Sequence, residues 1–442
     1  MKLSIFQLVA LGIFATCILV GVGVFATLSS IGQNTEIGRV VVWGTLDAGV
    51  IESALADLRQ KDKVMHEVTY VQQESKSYVA TIVNAMANGT GPDLFVLSQD
   101  QIVLFSDKIG TIPYGAVSQQ TFTDSYVDEA QLFLTTEGAL ALPFVVNPLV
   151  LYWNRDMLAS AGYANPPKYW NDFFEMAPKL TQLSGGSNIK KSAVALGGWS
   201  NIEYAKQILT TLFMQAGDPI VVRNEKGDPT PVLGVVQNTN AATNENPAMS
   251  ALQFYTEFAN PVKTIYSWNR SLPLSQDAFV SGDLALYFGL ASDYPVLRER
   301  NQNLRFGVSK IPQIEGSGLA LTFGHLYALA IPRTTKNPNG ALLAAQKMTS
   351  QPGVAALAAY LKLPPARRDV AVDTSKDAAL SVFIQSALIA RGWLDPDPAQ
   401  SDALFKDMIE SVISGRDQPG IAVFNAAQVL RTLLKADSTQ TP

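Results

Sequence analysis

Apolar positions along this chain follow two different patterns. Residues Ile5 to Leu28 are 24 residues, apolar or small except for Gln7, Thr16 and Thr27. A helix over them would be about 36 Å long, enough to cross a hydrocarbon core of about 30 Å. Lys2 precedes the run, which predicts a cytoplasmic N-terminus and an extracytoplasmic remainder. After residue 37 strand and helix periods alternate. Arg39 to Trp43 is a β-rich run ended by Gly44, and Val50, Ile51, Ala54, Leu55 and Leu58 follow at helical spacing. Glu67 to Val71 predicts a second strand. Ser75 is placed to cap a helix with Tyr78, Val79, Ile82, Val83 and Met86 on one face and Gly89 as its stop. Asp93 to Leu97 predicts a third strand. This βαβαβ order within about 60 residues implies a mostly parallel sheet covered by helices, with ligands bound beyond the carboxyl ends of its strands.

The mixed pattern continues. Ala139 to Val146 and Leu149 to Trp153 predict two strands around Asn147-Pro148. Pro166-Pro167 precedes a helix with Trp170, Phe173, Phe174, Ala177 and Leu180 on one face, which assigns Trp170 to the core, and Trp153 with it by its apolar strand. Residues 223–248 are polar and read as a loop excursion. Asp283 to Leu290 and His325 to Ile331 are further strand candidates. The C-terminus is helical, with one face through Leu404, Met408, Ile409, Val412 and Ile413 and another through Val423, Ala426, Leu430, Leu433 and Leu434.

Composition narrows the function classes. With 442 residues, 47% of them apolar, a large core is available and global disorder is excluded. A net charge of -5 supplies no basic face for a polyanion, so nucleic-acid binding is not expected. One Cys and two His leave no internal disulfide and no Cys/His zinc site. The sequence has no GxxxxGK[ST] phosphate loop, no HExxH and no GxSxG elbow. No cofactor and no metal are therefore expected. A pair of carboxylates for glycoside hydrolysis needs no fixed spacing, so a tethered glycan-acting enzyme stays open. At the N-terminus an uncleaved anchor is the leading expectation. The alternatives are a signal peptide cleaved near Val24-Phe25-Ala26 and a lipidated Cys17, and all three place the remainder outside the membrane.

Four passages carry a family resemblance: Trp43-Gly44 closing the first strand, and Gly91-Pro92-Asp93-Leu94-Phe95 opening the third, are two of them. The most specific runs through Ala141-Leu142-Pro143-Phe144, Leu149 to Leu158, Ala161-Gly162 and Pro166-Pro167-Lys168-Tyr169-Trp170. The last is Ala328-Leu329-Ala330-Ile331-Pro332 with Lys336-Asn337-Pro338 and Ala341. In this order they are similar to the family 1 extracellular solute-binding proteins of ABC importers, the group of maltose-binding protein, over roughly residues 37 to 435. Departures are Trp153 where the family usually has Tyr, Tyr169 where it has Thr, and the lack of a lipobox. The resemblance implies an α/β, two-lobed, periplasmic-binding-protein-like fold of type II with an interlobe cleft, here preceded by one N-terminal transmembrane helix over residues 1–30. The lobes would be 37–146 plus 326–372 and 147–322 plus 373–438. Such a protein catalyses nothing. It captures a solute, with a sugar or oligosaccharide the leading expectation, and hands it to ABC permease subunits from a single-pass attachment to the cell membrane.

Sugars present apolar C–H faces and hydroxyl rims, so a sugar site pairs aromatic platforms with Asp, Glu, Asn, Gln or Arg. Candidates at the strand ends expected to face the cleft are Trp43, Gln73, Glu74, Asn147, Trp199, Trp268, Tyr287, Phe288, His325 and Arg367, with Trp393 in a following loop. Asp93 is a further candidate, although it opens its strand rather than closing it. Within the same fold a polyamine or another non-sugar solute remains open, whereas an iron site is disfavoured because no Tyr cluster is visible. A tethered adhesion or sensor protein is a further class.

Overall fold

The computed structural model describes residues 37–235 and 246–438. The expected anchor over residues 1–30, Cys17 within it, and the middle of the 223–248 excursion lie outside the described residues. Among the described residues no helix is long and apolar enough to cross a membrane.

The opening unit forms much as the pattern predicts. Strand β1 (Val40–Gly44) has Val40 and Val42 fully buried, with the residues between them less so. Helix α1 (Ala48–Lys61) starts at Asp47, whose carboxylate accepts from the Val50 N–H at 2.9 Å, a cap worth about 1 kcal/mol. Its buried face is Ile51, Ala54, Leu55 and Leu58. Strand β2 (Val68–Gln72), helix α2 (Tyr78–Ala87) and strand β3 (Leu94–Ser98) follow, and β1 pairs in parallel with both β2 and β3. The cap of α2 differs from expectation. Ser77, not Ser75, occupies the N-cap and makes no side-chain cap bond, while Ser75 contributes its carbonyl to the Tyr78 N–H. Gly89, at φ 65°, takes the left-handed conformation that ends the helix.

The two strands expected around Asn147-Pro148 are one. Strand β4 (Ala141–Asn154) runs through 14 residues, almost all buried. The rest of the sheet is β5 (Gln182–Ser184), β6 (Asn188–Val194), β7 (Leu284–Leu290), β8 (Phe306–Ser309) and β9 (Gly324–Ala330). The strand order is β2-β1-β3-β9-β4-β7-β6-β5, with β8 also on β4. Strand β4 changes partner midway: residues 141–148 pair with β9, and from Leu149 onward it pairs with β7. Proline lacks the N–H a ladder needs, and Pro148 stands at the handover, where that loss is tolerated. The sheet is thus two halves joined through β4, which is the two-lobed arrangement.

Two other chain passages lie beside this break. The Leu149 N–H donates to Phe323 O at 2.8 Å and the Thr322 hydroxyl to Leu149 O at 2.7 Å. The Val146 N–H donates to Pro364 O at 2.9 Å. Helix α3 (Ala205–Gln215) and helices α5 (Ala378–Leu388) and α6 (Pro398–Ile413) cover the second half, while α4 (Gln351–Leu361) packs on α1 in the first. The 223–248 excursion begins as a short hairpin, Val221–Arg223 with Pro229–Pro231, rather than as loop. Trp170 is buried as expected, its indole N–H on Gln215. Trp153 is only partly buried and carries the Arg155 guanidinium 5.3 Å above its ring, so it is not the core residue its apolar strand suggested.

Candidate functional site

Strand direction alone locates a cleft. Strands β1, β2 and β3 end at Gly44, Gln72 and Ser98, and β9, antiparallel to β3, begins at Gly324 on the same edge. In the other half β6 and β7 run parallel to each other, and their carboxyl ends lead to Gly197-Gly198-Trp199 and to Ser292-Asp293. Both edges meet at Asn147, which faces His325 in the ladder. Open α/β sheets bind ligands at such carboxyl edges.

Asn147 ties the edges together. Its side-chain amide donates to Ser292 Oγ at 2.9 Å and accepts from the Ser292 N–H at 3.0 Å, and it also bonds the Tyr327 hydroxyl. On the first edge Asp100 follows β3, with one oxygen 4.0 Å from His325 Nδ1. Burial keeps His325 neutral by lowering its pKa; Asp100 opposes this and the Lys206 charge across the cleft adds to it. Burial also pushes the Tyr327 hydroxyl up to about 12, so it is a neutral donor at any physiological pH. On the second edge Asp293 accepts from Tyr204 Oη at 2.9 Å and Tyr287 Oη at 2.8 Å. Burial pushes its carboxyl up to about 6 against the pull of those two bonds. Lys206, at the start of α3, meets Asp395 at 3.3 Å and the Ser401 hydroxyl at 3.0 Å, and pairs with Asp402. Burial works against its ammonium, yet the carboxylates outweigh it and raise its pKa. The result is a polar seam in which the neutral groups Asn147, His325 and the Tyr204, Tyr287 and Tyr327 hydroxyls stand between the acidic side chains Asp100 on one edge and Asp293 on the other.

The structure brings together some of the residues expected from sequence. Asn147 and His325 are adjacent at the seam. Trp43 closes β1 and Trp199 follows β6; both rings are partly exposed and pack against the core on one side. Gln73 follows β2, its N–H on Gly44 O at 2.7 Å, and Glu74 beside it is exposed and accepts from the Ser77 hydroxyl. Others lie elsewhere. Asp93 is at the amino end of β3, where it accepts from the Val41 N–H at 3.0 Å and the Thr335 hydroxyl at 2.8 Å; it pins a turn at the edge away from the cleft. Trp268 is fully buried, its indole N–H on Asn201 at 3.1 Å. Tyr287 stacks on Tyr152 and reaches the seam only through Asp293, and Phe288 stacks on Trp170. These two sit on a strand buried on both faces, which removes the alternation that would have sorted them. Arg367 lies over the Tyr126 ring and holds Asp369 at 2.8 and 2.6 Å, so its guanidinium is engaged in the first half. Trp393 packs on Phe405 in the core. Asp100, Tyr204, Lys206, Asp293 and Tyr327 were not anticipated. Asp100 had a usable signal, being the first charged residue past the carboxyl end of a parallel strand; the loop and helix positions of Tyr204, Lys206 and Asp293 carried none, and neither did the mid-strand position of Tyr327.

Comparison with known proteins fits this geometry. Residues 54–382 match the family model for bacterial extracellular solute-binding proteins. A cyclic α-maltosyl-1,6-maltose-binding protein from Arthrobacter globiformis is similar in structure, with a TM-score of 0.72 at 15% identity over 90% of this chain and 99% of that one. A cyclo/maltodextrin-binding protein complexed with maltotetraose gives 0.71 at 15% identity, over 92% and 99%. An ABC transporter solute-binding protein from Thermotoga lettingae bound to α-D-tagatose gives 0.67 at 18% identity, over 90% and 100%. At such identities the likeness speaks for the fold. The family match covers most of the chain, and with it the chain belongs to the bacterial extracellular solute-binding proteins, which are binding proteins rather than enzymes.

Proposed function

We propose that this protein captures a polyhydroxylated solute, a sugar or short oligosaccharide, between its two lobes and delivers it to an ABC importer. The observation that carries the reading is the seam at Asn147. There side chains from both halves converge, neutral donors and acceptors with the acidic side chains Asp100 and Asp293, and the partly exposed rings of Trp43 and Trp199 stand at the carboxyl ends of their strands. Hydroxyl groups suit such partners, and aromatic faces suit the C–H faces of a pyranose. The sugars bound to the structural neighbours, maltotetraose and α-D-tagatose among them, favour the same class.

The lobe limits that go with this reading are 37–146 plus 326–372 and 147–322 plus 373–438. Trp43, Gln73, Asn147, Trp199 and His325, with Asp100 added, are the residues proposed to face the solute. The apolar stretch Ile5 to Leu28 would tether the receptor to the outer side of the membrane. Thermal melting against mono- and oligosaccharides, polyamines and metal ions tests the solute class. A ligand at about 100 times its Kd stabilises the bound form by about 2.7 kcal/mol. An upward shift with a sugar class, without turnover, is expected. A shift with a polyamine alone would overturn the sugar assignment.

A further inference from the structure

Beside the seam lies a buried acid with nothing to hold it. Glu129, in the 3-10 turn Asp128–Phe133, is 1% exposed, and neither carboxyl oxygen has a hydrogen-bond partner. The carboxyl is wedged between two glycines. A Cβ on Gly392 would stand 2.7 Å from Oε1, and one on Gly324 would stand 2.8 Å from Oε2, so any side chain at either position would collide with it. Gln99 forms the third wall. Its amide is committed to Gly324 O at 2.9 Å and to the Leu326 N–H at 2.8 Å, which keeps it from turning to Glu129.

The surrounding charges do not supply a partner. Asp128, on the same turn, is paired with Arg391 at 2.7 Å and with Arg368. Arg391 attracts Glu129 but is engaged by Asp128 and by Ala390 O at 2.8 Å. Asp100, past the end of β3, repels it. His325, next to Gly324, is kept neutral by burial. Arg223, from the hairpin, spends its guanidinium on Gly227 O at 3.0 Å and Leu132 O at 3.1 Å. Burial therefore raises the Glu129 pKa well above the ordinary carboxyl range.

The wedge crosses the lobe boundary. With the limits given above, Gln99 and Glu129 belong to the first lobe, Arg391 and Gly392 to the second, and Gly324 to a crossing between them. A cavity of about 410 Å³ beside the wedge is likewise walled by both, through Glu129 and Leu132 on one side and Val221, Arg223 and Gly392 on the other. Any rotation of the lobes changes this contact.

We propose that the interlobe arrangement seen here is linked to a proton on Glu129: the carboxyl fits between Gly324 and Gly392 as the neutral acid, and its ionisation favours an arrangement with the lobes apart and water at the carboxylate. A state that holds the proton more tightly gains population as pH falls. The linkage rests on the two-lobed fold and not on the identity of the solute, so it is tested without one.

Two measurements on the full chain decide it. The first is the infrared C=O stretch of a protonated carboxylic acid at neutral pH, expected in the wild type and lost in Glu129→Gln. The second is the spin-label distance between the lobes, from Lys76→Cys and Lys190→Cys on a Cys17→Ser background. It is expected to shorten on acidification from about pH 8 to about pH 5, and to stay short at both values in Glu129→Gln and Glu129→Met. Absence of the acid band in the wild type, a wild-type distance that ignores pH, or a pH response retained in both variants would overturn the proposal. The wild-type band and distance remain decisive if the variants fail to fold.

Discussion

Lys206 and Glu129 are both ionisable, both buried and both close to the lobe boundary, yet they are treated in opposite ways. Lys206 is surrounded by Asp395, Asp402, the Ser401 hydroxyl and the Pro398 carbonyl. Glu129 is surrounded by two glycine backbones and a glutamine that is bonded elsewhere. The first arrangement keeps a charge and uses it to join α3 to α6. The second can keep only a neutral acid. Burial of an ionisable group thus says little by itself. The partners decide whether the group is a fixed strut or a titratable contact.

The largest expected effect comes from breaking the strut. Lys206→Met leaves Asp395 buried with only the Ser401 hydroxyl and the Asp397 N–H donating to it and no counter-charge, and removing one partner of a buried pair costs about 3–5 kcal/mol. Urea unfolding at neutral pH measures it, and a loss below about 1 kcal/mol would put the pair among surface bridges. Burial already pushes the Asp395 carboxyl up to about 6 against the pull of Lys206. The cost should therefore shrink as pH falls, because the orphaned acid can take up a proton.

The titratable contact should respond with the other sign. Since the Glu129 pKa is raised in the folded state, its contribution to stability is fully present below the unfolded pKa of about 4.3 and is lost as pH rises through the folded value. Glu129→Gln should unfold at the same urea concentration as wild type in acid and at a higher one at neutral pH. A gap that closes rather than widens with rising pH would contradict the neutral-acid assignment. The smallest effect belongs to the neighbouring ion pair. Asp128 and Arg391 are each more than one-third exposed, so Asp128→Asn should cost about 1 kcal/mol or less, and less still in high salt. A larger, salt-insensitive loss would mean that Asp128 shares the buried character of Glu129.

Much of the first lobe was legible in the sequence because its elements are local. The apolar face of α1, the β-branched run of β1 and the stop at Gly89 each declare themselves within a few residues. Strand β4 did not, because Asn147-Pro148 reads as a break unless the change of partner from β9 to β7 is known, and that depends on residues far away in the chain. The candidate site was partly legible for a related reason. Strand ends can be read, and so Trp43, Asn147, Trp199 and His325 were found at the cleft edges. Which face of a doubly buried strand looks outward cannot be read, and so Tyr287 and Phe288 were taken with them. Trp268 is hidden by its bond to Asn201, and Asp93 by a strand direction already visible in the sequence. The opposing halves of the seam, Asp100 with His325 and Tyr204 with Asp293, are joined only by folding.

The most direct test of solute capture between the lobes is thermal melting of the purified chain with a panel of oligosaccharides, run on wild type and on Asp100→Ala and Trp199→Ala in parallel. These residues stand on opposite edges of the cleft. At least one sugar should raise the wild-type Tm, and either substitution should abolish or sharply weaken that shift while leaving the ligand-free Tm nearly unchanged. A sugar-induced shift of equal size in all three proteins would place the binding site somewhere other than the seam at Asn147.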